Sequence, residues 1–278
     1  MSLPDFLVIG AQRAGSSLLH QILLGHPQVY VPVQRKEVHY FDRYFERGAE
    51  WYQSYFPAGD EAGQYRAIGE VTPDYLATAE APARIHALLP QCRLIAILRN
   101  PVDRAYSWYQ HARRSRNERR DLATFLEEDP EALRAGLYHR HLQSYLALFP
   151  GEALLVVLYE ELLRDPGREL GRLAEFLGVD MVWSDPAGLL RERVYASDMP
   201  RFRQGFALAR RSAGFLARHD LNWPVRAAKR LGVRRWFGSS AAAPALSAAE
   251  RERLAGFYED DVRQLSALLG RELDIWQA

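Results

Sequence analysis

Two short stretches carry residues whose types and spacing suit anion chemistry. The first is Gly10-Ala11-Gln12-Arg13-Ala14-Gly15-Ser16-Ser17, which follows the apolar run Phe6-Leu7-Val8-Ile9. Between a strand and a helix, the backbone N–H groups of such a turn and the positive helix end hold phosphate oxygens. Gly10 and Gly15 have the spacing of a nucleoside-triphosphate loop, but Ser16 stands where that motif requires lysine, and the loop's cation is Arg13. A triphosphate loop must also hold magnesium and a highly charged tail. A displaced arginine and two serines suit a smaller anion and a transfer that needs less charge neutralisation. The same turn also occurs as a plain strand-to-helix connection, so alone it decides nothing. The second stretch is Leu98-Arg99-Asn100-Pro101, with Ser107 further on. Pro101 suits the first turn of a helix. That helix brings the Ser107 hydroxyl back towards Arg99 at a strand end, the place where open α/β sheets bind ligands.

The elements that must position these residues read as alternating strands and helices. Strands are expected at 6–10, 67–71, 93–98 and 153–158, the last two as buried parallel strands (Arg-Leu-Ile-Ala-Ile-Leu and Ala-Leu-Leu-Val-Val-Leu). Helices are expected at 16–25, 82–90, 101–113, 122–128 with Asp121 as cap, 139–149, and from Pro166 to about Leu177. Ser247 with Glu250 forms a capping-box signal for a last helix to about Leu269. The alternation implies an α/β fold, a mainly parallel sheet covered on both faces. Residues 186–245 are rich in Arg, Ala, Gly and Pro, with only short periodic runs. The expectation is a single domain over 1–278, with a core at 5–180, an irregular lid-like segment at 186–245 and a closing helix at 247–270.

Bulk properties narrow the partners. A formal net charge of +1 over 278 residues argues against a protein that coats nucleic acid. The charge is uneven: residues 201–235 hold nine arginines and Lys229 against Asp220, which points to a local anionic ligand or to a solvated surface. No apolar run approaches a membrane span and no signal peptide is evident, so the expected setting is cytoplasmic. The single cysteine, Cys92, can make no internal disulfide and reads as a buried, inert thiol. No cluster has metal-ligand spacing.

Taken together, the two anion motifs resemble those of the PAPS-dependent sulfotransferases (PAPS, 3′-phosphoadenosine 5′-phosphosulfate). The first resembles their 5′-phosphosulfate loop and the second their 3′-phosphate motif. The resemblance is nearest to the heparan sulfate and carbohydrate type. Lys36-Glu37-Val38-His39-Tyr40-Phe41-Asp42 resembles a Glu-Val-His-Phe-Phe-Asp stretch, and Glu70-Val71-Thr72-Pro73-Asp74-Tyr75 a Glu-Lys-Thr-Pro segment. Leu137 to Gln143, then Phe149-Pro150, then Tyr159-Glu160-Glu161-Leu162 with Arg164-Asp165-Pro166 follow in the same order, so the likeness covers about residues 5–180. Arg13 replaces the usual loop lysine, and Val71 replaces a lysine of the heparan enzymes. Their C-terminal Lys-Gly loop has no clear counterpart; the basic segment with Arg201 is expected in its place.

The resemblance implies transfer of a sulfuryl group from PAPS to an acceptor hydroxyl, on a carbohydrate, without a metal. It makes Gln12, Arg13, Ala14, Gly15, Ser16 and Ser17 the 5′ ligands and Arg99 and Ser107 the 3′-phosphate ligands; Arg201, where the family's motif has no counterpart, is expected as a further nucleotide contact from the basic segment. It also makes Glu37 the base, a role a carboxylate fills if its pKa is raised towards neutrality. His39, two positions on, shares the face of Glu37 if the segment is extended, and is either the rival base or the group that orients Glu37. Lipid, polyketide or aryl acceptors stay open, as do a P-loop kinase and a non-catalytic nucleotide-binding protein.

Overall fold

A computed structural model of the chain describes residues 2–115, 118, 120–183, 199–200, 239–240 and 245–276. Strand β1 (Phe6–Gly10) runs into helix α1 (Ser16–Leu24), followed by the short β2 (Val29–Tyr30), α2 (Tyr40–Arg43) and α3 (Gly48–Gln53). Next come β3 (Ala67–Val71), α4 (Ala81–Leu88), β4 (Arg93–Leu98), α5 (Pro101–Ser115), α6 (Leu122–Glu128), α7 (Pro130–Arg134) and α8 (Tyr138–Leu146). Strand β5 (Leu154–Leu158) leads to α9 (Tyr159–Arg164) and α10 (Pro166–Leu177). The chain returns as β6 (Met199–Pro200) and β7 (Ser239–Ser240), an antiparallel pair, and as the long α11 (Ala248–Leu269).

The main sheet has five parallel strands in the order β2-β3-β1-β4-β5. The continuous apolar runs follow from burial on both faces, because successive strand side chains point in opposite directions. Leu7, Ile9, Leu94, Ala96, Leu98, Val156 and Leu158 join one core with Phe41, Tyr52, Tyr75, Tyr145 and Leu265. Phe6, Val8, Ile95, Ile97, Leu155 and Val157 join the other, packed on Leu18, Ile22, Leu170 and Leu173 of α1 and α10. The expected strands and long helices therefore stand, within a few residues at their ends. What periodicity did not reveal is β2, α2, α3, α7 and α9, all too short to carry a repeat.

Topology explains why distant motifs meet. The chain leaves central β1 towards β3 on one side and returns on the other side as β4, so strand order reverses there. Residues 11–15, 99–107 and 72–75 all leave the carboxyl ends of β1, β4 and β3, the edge where open parallel sheets place ligands. Asp121 caps α6 by accepting from Thr124 N at 2.8 Å, and Ser247 and Glu250 close the capping box that starts α11. Cys92 is buried, and burial pushes its thiol well up. No helix among the described residues is long and apolar enough to cross a membrane.

Candidate active site

The phosphate loop is shaped by close packing. Gly15 has φ 106°, and a Cβ there would lie 2.5 Å from the Tyr159 ring; a Cβ on Gly10 would lie 2.4 Å from Leu76 Cβ. Both positions therefore require glycine. No side chain caps α1, so the first N–H groups of the helix, at Ser16 and Ser17, lack an intrahelical partner and face the loop. Gln12, Arg13 and Ser17 are partly exposed, while Ala14 and Ser16 are buried. Arg13 has a left-handed backbone, φ 67°, and its Nε donates to Ser107 Oγ at 3.3 Å. The two motifs expected to bind opposite ends of one ligand are thus joined across neighbouring strands.

Arg99 leaves the end of β4 with its guanidinium over the Tyr159 ring, 5.3 Å from the centroid. Tyr159 therefore packs against both Gly15 and Arg99. The Arg99 turn is braced from behind. Asn100 Oδ1 accepts from Val102 N at 2.9 Å, capping α5, and Asn100 Nδ2 donates to Trp276 O at 2.8 Å. Glu160 accepts from Asn100 N and from Trp276 Nε1, each at 2.9 Å. Ser107 lies on the same helix, its recorded partner being Arg13 rather than Arg99.

The third segment brings Glu37 to the loop through Lys36. Lys36 Nζ donates to Ser17 Oγ at 2.7 Å and to Glu37 Oε1 at 2.9 Å. His39 Nε2 lies 3.4 Å from Glu37 Oε2, and His39 Nδ1 lies 2.9 Å from Asp42 Oδ2. His39, like Arg13, is left-handed (φ 58°), a conformation that costs a non-glycine residue about 1–3 kcal/mol and needs support from its surroundings. The support is a buried network around Glu70. Tyr52 and Tyr75 hydroxyls donate to Glu70 Oε1 at 2.7 and 3.0 Å, and Thr72 Oγ1 donates to Oε2 at 2.7 Å. Thr72 Oγ1 in turn accepts from Val38 N at 3.1 Å, and the Tyr75 hydroxyl oxygen accepts from Tyr40 N at 2.9 Å. Burial pushes the Glu70 carboxyl up, and the three hydroxyl donors oppose that shift.

Electrostatics reverses one expectation. Burial would raise the Glu37 carboxyl, but its hydrogen bond with His39 and the charge of Lys36 outweigh it and lower the pKa to about 2. The pKa expected near neutrality is therefore displaced the other way, because two cations flank the carboxylate. Burial would lower His39, yet its bonds to Asp42 and Glu37 raise it to about 9. These bonds favour the protonated imidazolium, which lacks the free lone pair that a base needs. Glu37, His39 and Asp74 also present ligand-type atoms within 4.8 Å of one another, a grouping hidden from sequence spacing. Each already has another partner: Lys36, Asp42 and, for Asp74, Arg43 at 2.7 Å.

The structure therefore gathers Gln12, Arg13, Ala14, Gly15, Ser16 and Ser17, then Arg99 and Ser107, and Glu37 with His39. Arg201 and the basic segment 201–235 lie outside the described residues. Sequence reasoning missed Lys36 as a loop partner, and missed Asp42, Glu70, Tyr52 and Tyr159. The Lys36-Glu37 adjacency and the three-residue spacing of His39 and Asp42 are local signals; the Lys36–Ser17 contact and those of Tyr52 and Tyr159 join distant segments.

Residues 3–199 match the model of the sulfotransferase domain family. The chain belongs to that family. Its relatives include human heparan sulfate glucosamine 3-O-sulfotransferase 6, 38% identical over 193 residues, which cover 66% of this chain and 54% of that protein. The human bifunctional heparan sulfate N-deacetylase/N-sulfotransferase 3 is 34% identical over 196 residues, 64% of this chain and 22% of that one. The chain thus spans about half the length of the 3-O-sulfotransferase relative. Among solved structures, a sulfotransferase from Alicyclobacillus acidocaldarius aligns over 100% of both chains with a TM-score of 0.70 and 25% identity. Family membership sets aside the P-loop kinase reading, in line with the serine at position 16.

Proposed function

We propose that this sulfotransferase-family protein moves a sulfuryl group from PAPS to an acceptor hydroxyl, with a carbohydrate as acceptor and Glu37 as base. The observation that carries the reading is the Arg13–Ser107 hydrogen bond, 3.3 Å, which joins two anion motifs into one cradle. A donor that bears a phosphosulfate at one end of a ribose and a phosphate at the other fits two such motifs. The N–H groups of Ser16 and Ser17, the Ser17 hydroxyl and Arg13 would hold the 5′ end; Arg99 and Ser107 would hold the 3′-phosphate. In the transfer, the acceptor oxygen bonds to sulfur as the bond from sulfur to the bridging oxygen breaks, and the electron pair leaves on 3′-phosphoadenosine 5′-phosphate (PAP). Glu37 takes the acceptor proton. His39, protonated and bonded to Asp42, orients Glu37, and Arg13 stabilises charge on the leaving phosphate.

Two features support a sugar acceptor. The relatives named above act, by name, on heparan sulfate. In addition, a cavity of about 290 Å³ opens beside Ala11 and Gln12, lined also by Arg43, Asp74 and Trp108. It shares Leu76, Ala77, Thr78 and Glu131 with a neighbouring cavity of about 480 Å³ that reaches Arg134, Arg140 and His141. Such a groove of mixed polarity suits a hydroxyl-rich chain more than an aryl ring. The test is PAPS-dependent transfer across glycans, lipids and phenols, with the products identified by mass spectrometry. Sulfated glycan is the expected product; transfer confined to phenols or lipids would overturn the carbohydrate assignment.

A further inference from the structure

The sequence places no lysine in the phosphate loop, and one of the chain's two lysines reaches that loop from elsewhere. Lys36 sits on the segment that carries Glu37, yet its ammonium is 2.7 Å from Ser17 Oγ at the start of α1. We infer that Lys36 is a ligand for the 5′ end of the donor, supplied by the base segment and shared with Glu37, so that donor binding frees the carboxylate to accept a proton. This rests on the donor reading above.

The chemistry follows from the contacts. An ammonium has three donors, and two of these go to Ser17 and Glu37. An anion held by the α1 N–H groups and the Ser17 hydroxyl falls within reach of the same group. Its charge competes with Glu37 for Lys36. In the resting site Glu37 is held at about 2, a weak base at neutral pH, and Lys36 is one of the two cations that hold it there. Drawing Lys36 towards the donor weakens that pairing and strengthens Glu37 as a base. Without a donor the carboxylate stays neutralised. His20, buried on α1, does not substitute: burial and the charge of Lys36 lower its pKa to about 4, which favours the neutral ring. The arrangement makes one side chain serve both halves of the site.

The experiment is calorimetry with PAP and with 3′-AMP, which lacks the 5′ end, on wild type, Lys36→Met, Lys36→Arg, Glu37→Gln and the Lys36→Met/Glu37→Gln double variant. Lys36→Met should weaken PAP roughly 10- to 100-fold, the range for one charge-assisted hydrogen bond, and leave 3′-AMP binding unchanged. Lys36→Arg should recover much of the loss. Glu37→Gln should tighten PAP in the wild-type background by more than in the Lys36→Met background, since the carboxylate competes through Lys36. Equal PAP affinity in wild type and Lys36→Met would overturn Lys36 as a ligand. Equal effects of Glu37→Gln in both backgrounds would overturn the sharing. A wild-type protein that binds no PAP would instead defeat the donor reading itself.

Discussion

The two halves of the site are built differently. The base half, residues 36–42, is fixed from below by protein: Thr72 and Tyr75 bond the N–H groups of Val38 and Tyr40, and both converge on Glu70 with Tyr52. In the donor half, residues 11–17 are shaped by packing, with glycines under Tyr159 and Leu76, and residues 99–107 are braced through Asn100, Glu160 and Trp276. Its N–H groups at the α1 terminus have no capping side chain. One half is organised before any ligand arrives, and the other presents donors for an anion to complete. The difference separates two costs: damage to residues 37–42 should appear in stability or in the chemical step, and damage to the donor half, or to Lys36 which bridges the two, in nucleotide affinity.

The largest expected effect lies in the base half. Glu37→Gln keeps size and hydrogen-bonding reach but cannot take a proton, so single-turnover transfer at saturating PAPS should fall roughly 10²–10⁴-fold. PAP binding should be as tight as in wild type or tighter. Near-normal transfer by this variant would remove Glu37 as the base. In the donor half, Arg99→Ala should weaken PAP by about 2–5 kcal/mol if the charge pair is desolvated, and barely alter ADP. Loss of both nucleotides together would mean that Arg99 supports the fold of the loop rather than reading the 3′-phosphate.

A third variant tests the brace. Glu70→Ala leaves buried hydroxyls of Tyr52, Tyr75 and Thr72 without their acceptor, which costs about 1–3 kcal/mol for each orphaned group. Thermal melts should show the loss. Transfer per folded molecule should also fall, because His39 loses the support for its left-handed backbone. An unchanged melting temperature would show that the network is not what holds the segment.

The pH dependence separates the two candidate bases by sign. Glu37, lowered to about 2, stays ionised down to acidic pH, whereas His39, raised to about 9, is protonated below that value. With Glu37 as base and imidazolium as its orienting partner, kcat/KM should be flat through neutrality and fall as pH rises through about 9. A histidine base would give the opposite slope, a rise through about 9. For stability, the raised His39 contributes fully below 6.5 and loses its contribution as pH climbs towards 9. The lowered Glu37 contributes above 4.5 and loses its contribution as pH falls towards 2. The two describe one ion pair and are not additive.

Much of this organisation was legible in the sequence where a signal is local. The apolar runs at 6–10 and 93–98, Pro101 after Asn100, and the Ser247–Glu250 box each state their structure within a few residues. The loop and the Arg99 turn were legible as motifs, and their convergence followed from parallel strands that share a carboxyl edge. What could not be read was anything made by contact across the chain. Lys36 stands beside Glu37 in the sequence, and nothing local ties it to Ser17. The buried carboxylate of Glu70 looked like one more residue of a strand. The Glu37 shift, by contrast, turns on local neighbours: burial raises the carboxyl, and the hydrogen bond with His39 and the charge of Lys36 outweigh it.

The central claim, that the joined loop and Arg99 turn read a nucleotide phosphorylated at both its 3′ and 5′ positions, is most directly tested by calorimetry of wild-type protein with PAP and with ADP in one buffer without metal. PAP should bind far more tightly than ADP, and the difference should vanish in Arg99→Ala. Equal affinities of the wild type for the two nucleotides would contradict the account.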